Sequence, residues 1–180
     1  MRKEIETSLQ RLQTDFIDLY QIHWPDWDTP VEDSWNEMAK FKAEGKVRYI
    51  GVSNFGVDLL ERCEKIAHVQ SLQPIYNMLE RGIEPEIIPY CKAHGIGIVA
   101  YSPMQSGLLT GCFDMKKLPP DDWRIVHSEK FREPKFSGGL KLVEQLRPMA
   151  AGYNKTVGQL AISWLLRNDA VTSALVGAQT

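Results

Sequence analysis

The chain has 180 residues, 43% apolar and 24% charged, with a formal net charge of -2. That balance is ordinary for a globular protein, is long enough to bury a core without staples, and offers nothing to nucleic acid or an anionic membrane. No apolar run approaches the roughly 20 residues needed to span a bilayer, and Cys63, Cys91 and Cys112 share no CxxC spacing, so they read as reduced thiols.

The start, MRKEIETSLQ, lacks the apolar core of a signal peptide, which makes a single soluble cytoplasmic domain the expectation. The segment EIETSLQRLQ places Ile5, Leu9 and Leu12 on one helical face. FIDLYQIH, Phe16 to His23, reads as a buried strand. TPVEDSWNEMAKFKAEGK opens with Thr29 as N-cap, Pro30 at the first helical position and Glu32 as its capping-box partner, and Gly45 supplies the stop. VRYIGVSN is the next strand, and VDLLERCEKIAH a helix with Leu59, Leu60, Cys63, Ile66 and Ala67 facing inward. SLQPIYN is a strand whose ladder Pro74 must break or bulge. EPEIIPYCKAHG is a helix ended by Gly95, and IGIVAYSP the fourth strand. A long polar segment, 104–137, follows, of the kind that is either a lid over a site or disordered. The helix from Gly138 to about Tyr153 contains Pro148, which predicts a kink or break. TVGQLAISWLLRND carries a second capping box, Thr156 to Gln159, and TSALVGA is the last strand.

Strands with near-continuous apolar runs, alternating with helices at the spacing of a βα unit, predict a parallel sheet covered by helices. Five strands are expected. A closed (β/α)8 barrel takes about 250 residues, so such a barrel would be about three units short at the front and one helix short at the back.

Sites in parallel α/β folds sit at the C-terminal ends of strands. Those ends carry His23-Trp24, Ser53-Asn54-Phe55, Gln73 with Tyr76-Asn77, Tyr101-Ser102-Pro103, and Gly177-Ala178. Such convergence of hydrogen-bonding groups argues for a ligand site. Each group also has a plain structural reading. His23 closes a strand, Ser53 and Asn54 cap the next helix, Gln73 serves the backbone beside Pro74, Tyr101 is core, and Gly107 and Gly111 serve turns. His68 and His94 suit the last turns of helices, His127 falls in the long loop, and DMKKLPPDDWR reads as a solvated loop. There is no GxGxxG, GxxxxGK[ST], HxH or HExxH, so neither a phosphate loop nor a metal site is expected.

Four phrases, in order along nearly the whole chain, resemble the aldo-keto reductase superfamily: SLQRLQTDFIDLYQIHWPD, EGKVRYIGVSNF, YNMLERGIEPEIIPYCKAHGIGIVAYSPMQSGLLTG, and TVGQLAISWLLRN followed by LVGA. DDWR and FREPKF look most like the branch that includes bacterial general-stress and inositol-pathway reductases. The resemblance implies a partial (β/α)8 TIM barrel, residues 1–180 forming one incomplete barrel domain, and NAD(P)H-dependent reduction of small aldehydes and ketones. The cofactor expected is NADP, with NAD the alternative.

Carried over, His23 matches the histidine that polarises the substrate carbonyl, and Trp24 walls the pocket. Ser53, Asn54 and Gln73 match the residues that hold the nicotinamide carboxamide, and Tyr101 the aromatic under the ring. Ser102, Pro103, Met104, Gln105, Ser106, Gly107 and Leu108 match the loop around the pyrophosphate, and Gly177, Ala178 and Gln179 the start of the final phosphate-binding segment. The family's proton-donating tyrosine and its assisting lysine and aspartate have no counterpart here; Tyr20 lies inside a strand. Three expectations follow: little or no reductase activity in the isolated chain, a non-catalytic cofactor-binding or regulatory module, or an inactive truncated piece that self-associates or pairs with a missing N-terminal half.

Overall fold

In the computed structural model, which describes residues 1–177, strands and helices alternate. The order is α1 (Arg2–Leu12), β1 (Ile17–Ile22), α2 (Val31–Ala43), β2 (Val47–Ser53), α3 (Val57–Glu64), β3 (Ser71–Gln73), α4 (Ile87–His94), β4 (Gly97–Tyr101), α5 (Trp123–Val126), α6 (Lys135–Gly152), α7 (Val157–Leu166) and β5 (Val171–Leu175). The strands neighbour one another in chain order, and β1–β2, β2–β3 and β3–β4 pair in parallel. The α/β alternation expected from the sequence is therefore present, and among the described residues no helix is long and apolar enough to cross a membrane. The backbone divides into two compact units, Met1–Pro74 with Ile83–Val99, and Ile75–Gly82 with the chain from Ala100 onward.

In the first unit the period-2 rule sorts the sheet residues. Ile50, Val52 and Leu72 are fully buried on one face, together with Ile5 of α1, Trp35, Met38 and Phe41 of α2, and Leu60 and Cys63 of α3. Trp35 tolerates full burial because its indole N–H donates to the Ala67 carbonyl at 2.8 Å. The opposite face carries Leu19 and Gln21 of β1, Tyr49, Gly51 and Ser53 of β2, and Ser71 and Gln73 of β3, as the register dictates.

Several local expectations change. β1 is not a buried strand: it pairs on one side only, and Asp18 and Leu19 are exposed. Leu12 is exposed too, because the chain leaves the helix at Gln13 with a left-handed φ of 54°. Thr29 does not cap α2. Its hydroxyl donates to Asp26 at 2.7 Å, and Glu32 is taken by a two-bond fork from Arg62. α3 ends at Glu64, leaving Ile66 and Ala67 half-buried in the turn beyond, where His68 meets Glu64 at 3.0 Å.

In the second unit Leu109, Val143, Leu146, Ala150, Val157 and Ala161 form the core. The segment 104–137 is ordered rather than featureless. It folds as short 3-10 turns, α5 and the first turn of α6, which begins at Lys135. Phe113 lies 5.2 Å from Phe131 and 6.0 Å from Phe136, ring centre to ring centre, giving the segment its own apolar anchor. Of the kink or break expected at Pro148, the break does not occur; α6 continues to Gly152 with Val143, Leu146 and Ala150 still buried. Proline forfeits one backbone bond there, and that burial outweighs it. The Thr156–Gln159 capping box forms with both of its bonds. β3 stops just before Pro74, and contact resumes as a lone bridge between Ile75 and Tyr101.

Candidate functional site

The C-terminal ends of β1, β2 and β3 lie side by side, with Ile22 paired to Val52 and Ser53 to Gln73. His23 and Trp24 follow β1 directly. Both are exposed, with their rings edge to face at 6.1 Å. Ser53 is buried, and its hydroxyl donates to the Gln73 carbonyl at 2.7 Å. The same carbonyl accepts the Asn54 N–H at 3.1 Å. Asn54 sits at φ 62°, and its side-chain amide donates to the Ser53 oxygen at 2.9 Å and to the His23 carbonyl at 3.2 Å. Ser53 and Asn54 therefore fix the strand ends to one another; they do not cap α3, whose N-cap is Gly56 without a side-chain bond. Trp24 also lines a cleft of about 280 Å³ with Asp26, Trp27, Phe55 and Arg62.

Gln73 does not serve the backbone beside Pro74. Its Nε2 donates to Gln21 Oε1 at 2.9 Å, and Gln21 Nε2 donates to the Ser71 hydroxyl oxygen at 3.0 Å. Among the described residues nothing donates to Gln73 Oε1. Gln21 and Ser71 escaped the sequence reading, which took only the residues ending each strand. Their signal is the period of 2, which puts each of them two positions before a residue already singled out, His23 and Gln73.

In the second unit, Tyr101 ends β4 half-buried, and burial together with the Glu80 carboxylate raises its phenol above the ordinary value. Ser102, Gln105, Ser106 and Gly107 all take left-handed φ, from 47° to 101°. The turns are closed from within, the Gln105 N–H donating to the Ser102 carbonyl at 3.0 Å and the Gly107 N–H to the Met104 carbonyl at 3.1 Å. The strain costs of order 1–3 kcal/mol per non-glycine residue and needs bracing. Asn77, fully buried, donates to the Ser102 carbonyl at 2.9 Å and to Gln105 Oε1 at 3.0 Å, while Gln105 Nε2 donates to Glu80 at 3.1 Å. Pro103, Gln105 and Leu108 point their side chains into the protein; Ser102, Ser106 and Gly107 stay half-exposed.

Two residues of the supposed solvated loop turn out to be braces. Arg124 donates to the Ser106 carbonyl at 3.2 Å and grips Asp122 through two bonds of 2.7 and 2.8 Å. The guanidinium and the Arg124 backbone N–H together hold the Asp122 carboxyl down at about 2. Asn77, expected to present its amide, spends it internally. Gly177 is exposed after β5, and Ala178 and Gln179 lie outside the described residues. Among the described residues, no three His, Cys, Asp or Glu side chains are grouped to hold a metal ion.

A model of the Aldo/keto reductase family matches residues 1–180. The chain is 39% identical to the aldo-keto reductase YhdN of Bacillus subtilis over 178 residues, covering 98% of this chain and 54% of that protein. It is 33% identical to the NADH-specific methylglyoxal reductase of Escherichia coli, covering 99% of this chain and 55% of that one. Among solved structures, the glycerol dehydrogenase AKR11B4 of Gluconobacter oxydans superposes with a TM-score of 0.90 at 39% identity, over 98% of this chain and 54% of that one. The chain thus spans about half the length of the relatives it matches.

Proposed function

The chain belongs to the Aldo/keto reductase family, and we propose that it supplies the nicotinamide-facing part of an NAD(P)H-dependent oxidoreductase that reduces small aldehydes and ketones to alcohols. One observation carries this reading: at the ends of three neighbouring strands, Ser53, Asn54 and Gln73 hold one another in place while nothing among the described residues donates to Gln73 Oε1. A carboxamide presents both a donor and an acceptor, so its N–H suits that oxygen. In this reading Ser53, Asn54 and Gln73 hold the carboxamide, and Tyr101 offers a flat face to the ring. The left-handed backbone of Ser102, Ser106 and Gly107 suits a pyrophosphate, and Met104 and the inward side chains of Pro103, Gln105 and Leu108 support that loop. His23 orients the substrate carbonyl, beside Trp24. Bound there, the cofactor supplies the hydride. One relative is named for NADH, so NADP and NAD are both to be tested.

No residue of this chain matches the family's proton-donating tyrosine, lysine or aspartate. A missing general acid typically costs about 10²- to 10⁴-fold in rate. The purified 180-residue chain is therefore expected to bind NADPH or NADH, read by nucleotide fluorescence, while oxidising it with a generic aldehyde little above background. No binding at micromolar nucleotide overturns the reading. Turnover close to that of a full-length relative overturns the argument about the acid.

The same pattern, a cofactor-holding set without its acid, favours a second reading, a non-catalytic cofactor-binding or regulatory module. Co-expression with the N-terminal half of the B. subtilis relative separates the two, since only the first expects turnover to appear. That residues 1–180 act as one incomplete barrel domain in the cytoplasm, and self-associate or pair with such a half, belongs to the proposal. The open β1 edge and the exposed Leu19 and Tyr49 support it.

A further inference from the structure

Gln21 of β1 and Ser71 and Gln73 of β3 are not on adjacent strands; β2 lies between them. Two strand spacings amount to about 10 Å, and an ordinary side chain on β2 would stand in the way. The residue in register with both Gln21 and Ser71 is Gly51. A Cβ there would lie 2.2 Å from the Ser71 hydroxyl oxygen and 3.2 Å from Gln21 Cγ. Gly51 is not among the glycines with positive φ, so its backbone does not require glycine. What requires glycine is first the close approach of Ser71, whose carbonyl oxygen would also lie 2.7 Å from that Cβ, and then the Gln21 side chain, which uses the same open space to cross to β3.

The crossing has a chemical consequence. A glutamine amide has a donor end and an acceptor end, and an unrestrained one offers either. Gln21 turns its oxygen toward Gln73 and its nitrogen toward Ser71, so the donor end of Gln73 is occupied. Resting on the nicotinamide reading above, we propose that Gln21 is a positioning residue. Reaching over Gly51, it fixes the polarity of the Gln73 amide, holding Nε2 toward β1 and leaving Oε1 to the ligand, which selects a group that donates an N–H. The Ser71 hydroxyl, donor and acceptor in one, supports the far end of the chain of bonds.

The test uses the full chain and two nucleotides, NADP and its 3-acetylpyridine analogue, with the NAD pair in parallel. The analogue keeps the carbonyl and replaces the amide nitrogen with a methyl group. The unmodified chain is expected to bind the analogue about three- to tenfold more weakly, the worth of one hydrogen bond. Gln21→Met is expected to bring that ratio close to one, and Gln21→Glu, which keeps an acceptor facing Gln73, to restore it. In the nucleotide-free chain, the Gln73 side-chain amide signals in a ¹⁵N-resolved spectrum are expected to move in Gln21→Met and Gly51→Ala and to stay hydrogen-bonded in Gln21→Glu. A full discrimination ratio in Gln21→Met, or Gln73 signals indifferent to it, overturns the proposal while leaving the nicotinamide reading intact. No binding of any nucleotide by the unmodified chain overturns both.

Discussion

Asn77→Ala is the substitution from which the largest loss of stability is expected. Asn77 is fully buried and uses its whole hydrogen-bonding capacity. Its Nδ2 donates to the Ser102 carbonyl at 2.9 Å and to Gln105 Oε1 at 3.0 Å, and its Oδ1 accepts the Leu79 and Glu80 N–H groups at 2.8 and 3.0 Å. Four bonds at about 0.5–1.5 kcal/mol each give about 2–6 kcal/mol, and partners left buried without water push the value upward. A loss of about 3–5 kcal/mol is expected, measured by urea unfolding with tryptophan fluorescence. The loss also has a place. Without the Asn77 amide, the left-handed turns of Ser102 and Gln105 lose their buried brace, and Arg124 on Ser106 and Glu80 on Gln105 are left to hold the loop, so subtilisin is expected to cut near that loop in the variant before it cuts the parent. A stability change below about 1 kcal/mol with an unchanged denaturant slope, and no new cleavage there, refutes the reasoning.

Acid sensitivity follows from the Glu32–Arg62 fork. Arg62 lowers the Glu32 carboxyl from 4.5 to about 2. A depressed carboxyl favours the folded state fully above its ordinary value and loses that contribution as pH falls toward the folded one. The urea midpoints of the parent and Arg62→Met are thus expected to differ above about pH 4.5 and to converge as pH approaches about 2; a gap that persists in acid contradicts this. Gly139→Ala tests the packing of α6, because a Cβ there would lie 2.6 Å from Leu108 Cδ2 and 3.3 Å from Leu79 Cδ1. Overpacking of this kind costs about 1–3 kcal/mol, read as a lower melting temperature, and an unchanged one disproves the close contact.

What the sequence revealed, and what it did not, divides by range. The capping box at Thr156 and the stops at Gly45 and Gly95 are local chemistry and are present as read. Thr29 shows how a local rule fails. Its sequence satisfies the capping pattern, but Asp26, three residues earlier, competes for the hydroxyl and takes it. The anchor of Phe113, Phe131 and Phe136 has no period to betray it, so the sequence of 104–137 leaves a lid and disorder both open. For the site, listing strand ends found Ser53, Asn54 and Gln73. Finding Gln21 and Ser71 requires knowing which strands are neighbours and at what offset, and a single sequence does not contain that register. The visible trace is Gly51 inside a strand, a residue that strands disfavour unless something must pass close by.

Residue type at a strand end indicates capacity, not availability. Asn77 and Gln73 carry the same amide on neighbouring stretches of chain, and the sequence treats them alike. An amide has two donors and two acceptor sites. Asn77 commits all four inside the protein. Gln73 commits one donor, and its Oε1 accepts from none of the described residues. The first therefore holds a strained loop, and the second is left with something to offer a ligand. The same accounting applies to Gln21, whose amide is used at both ends. Each end of that amide already holds a neighbour, which places it well to decide which end of Gln73 meets a nicotinamide.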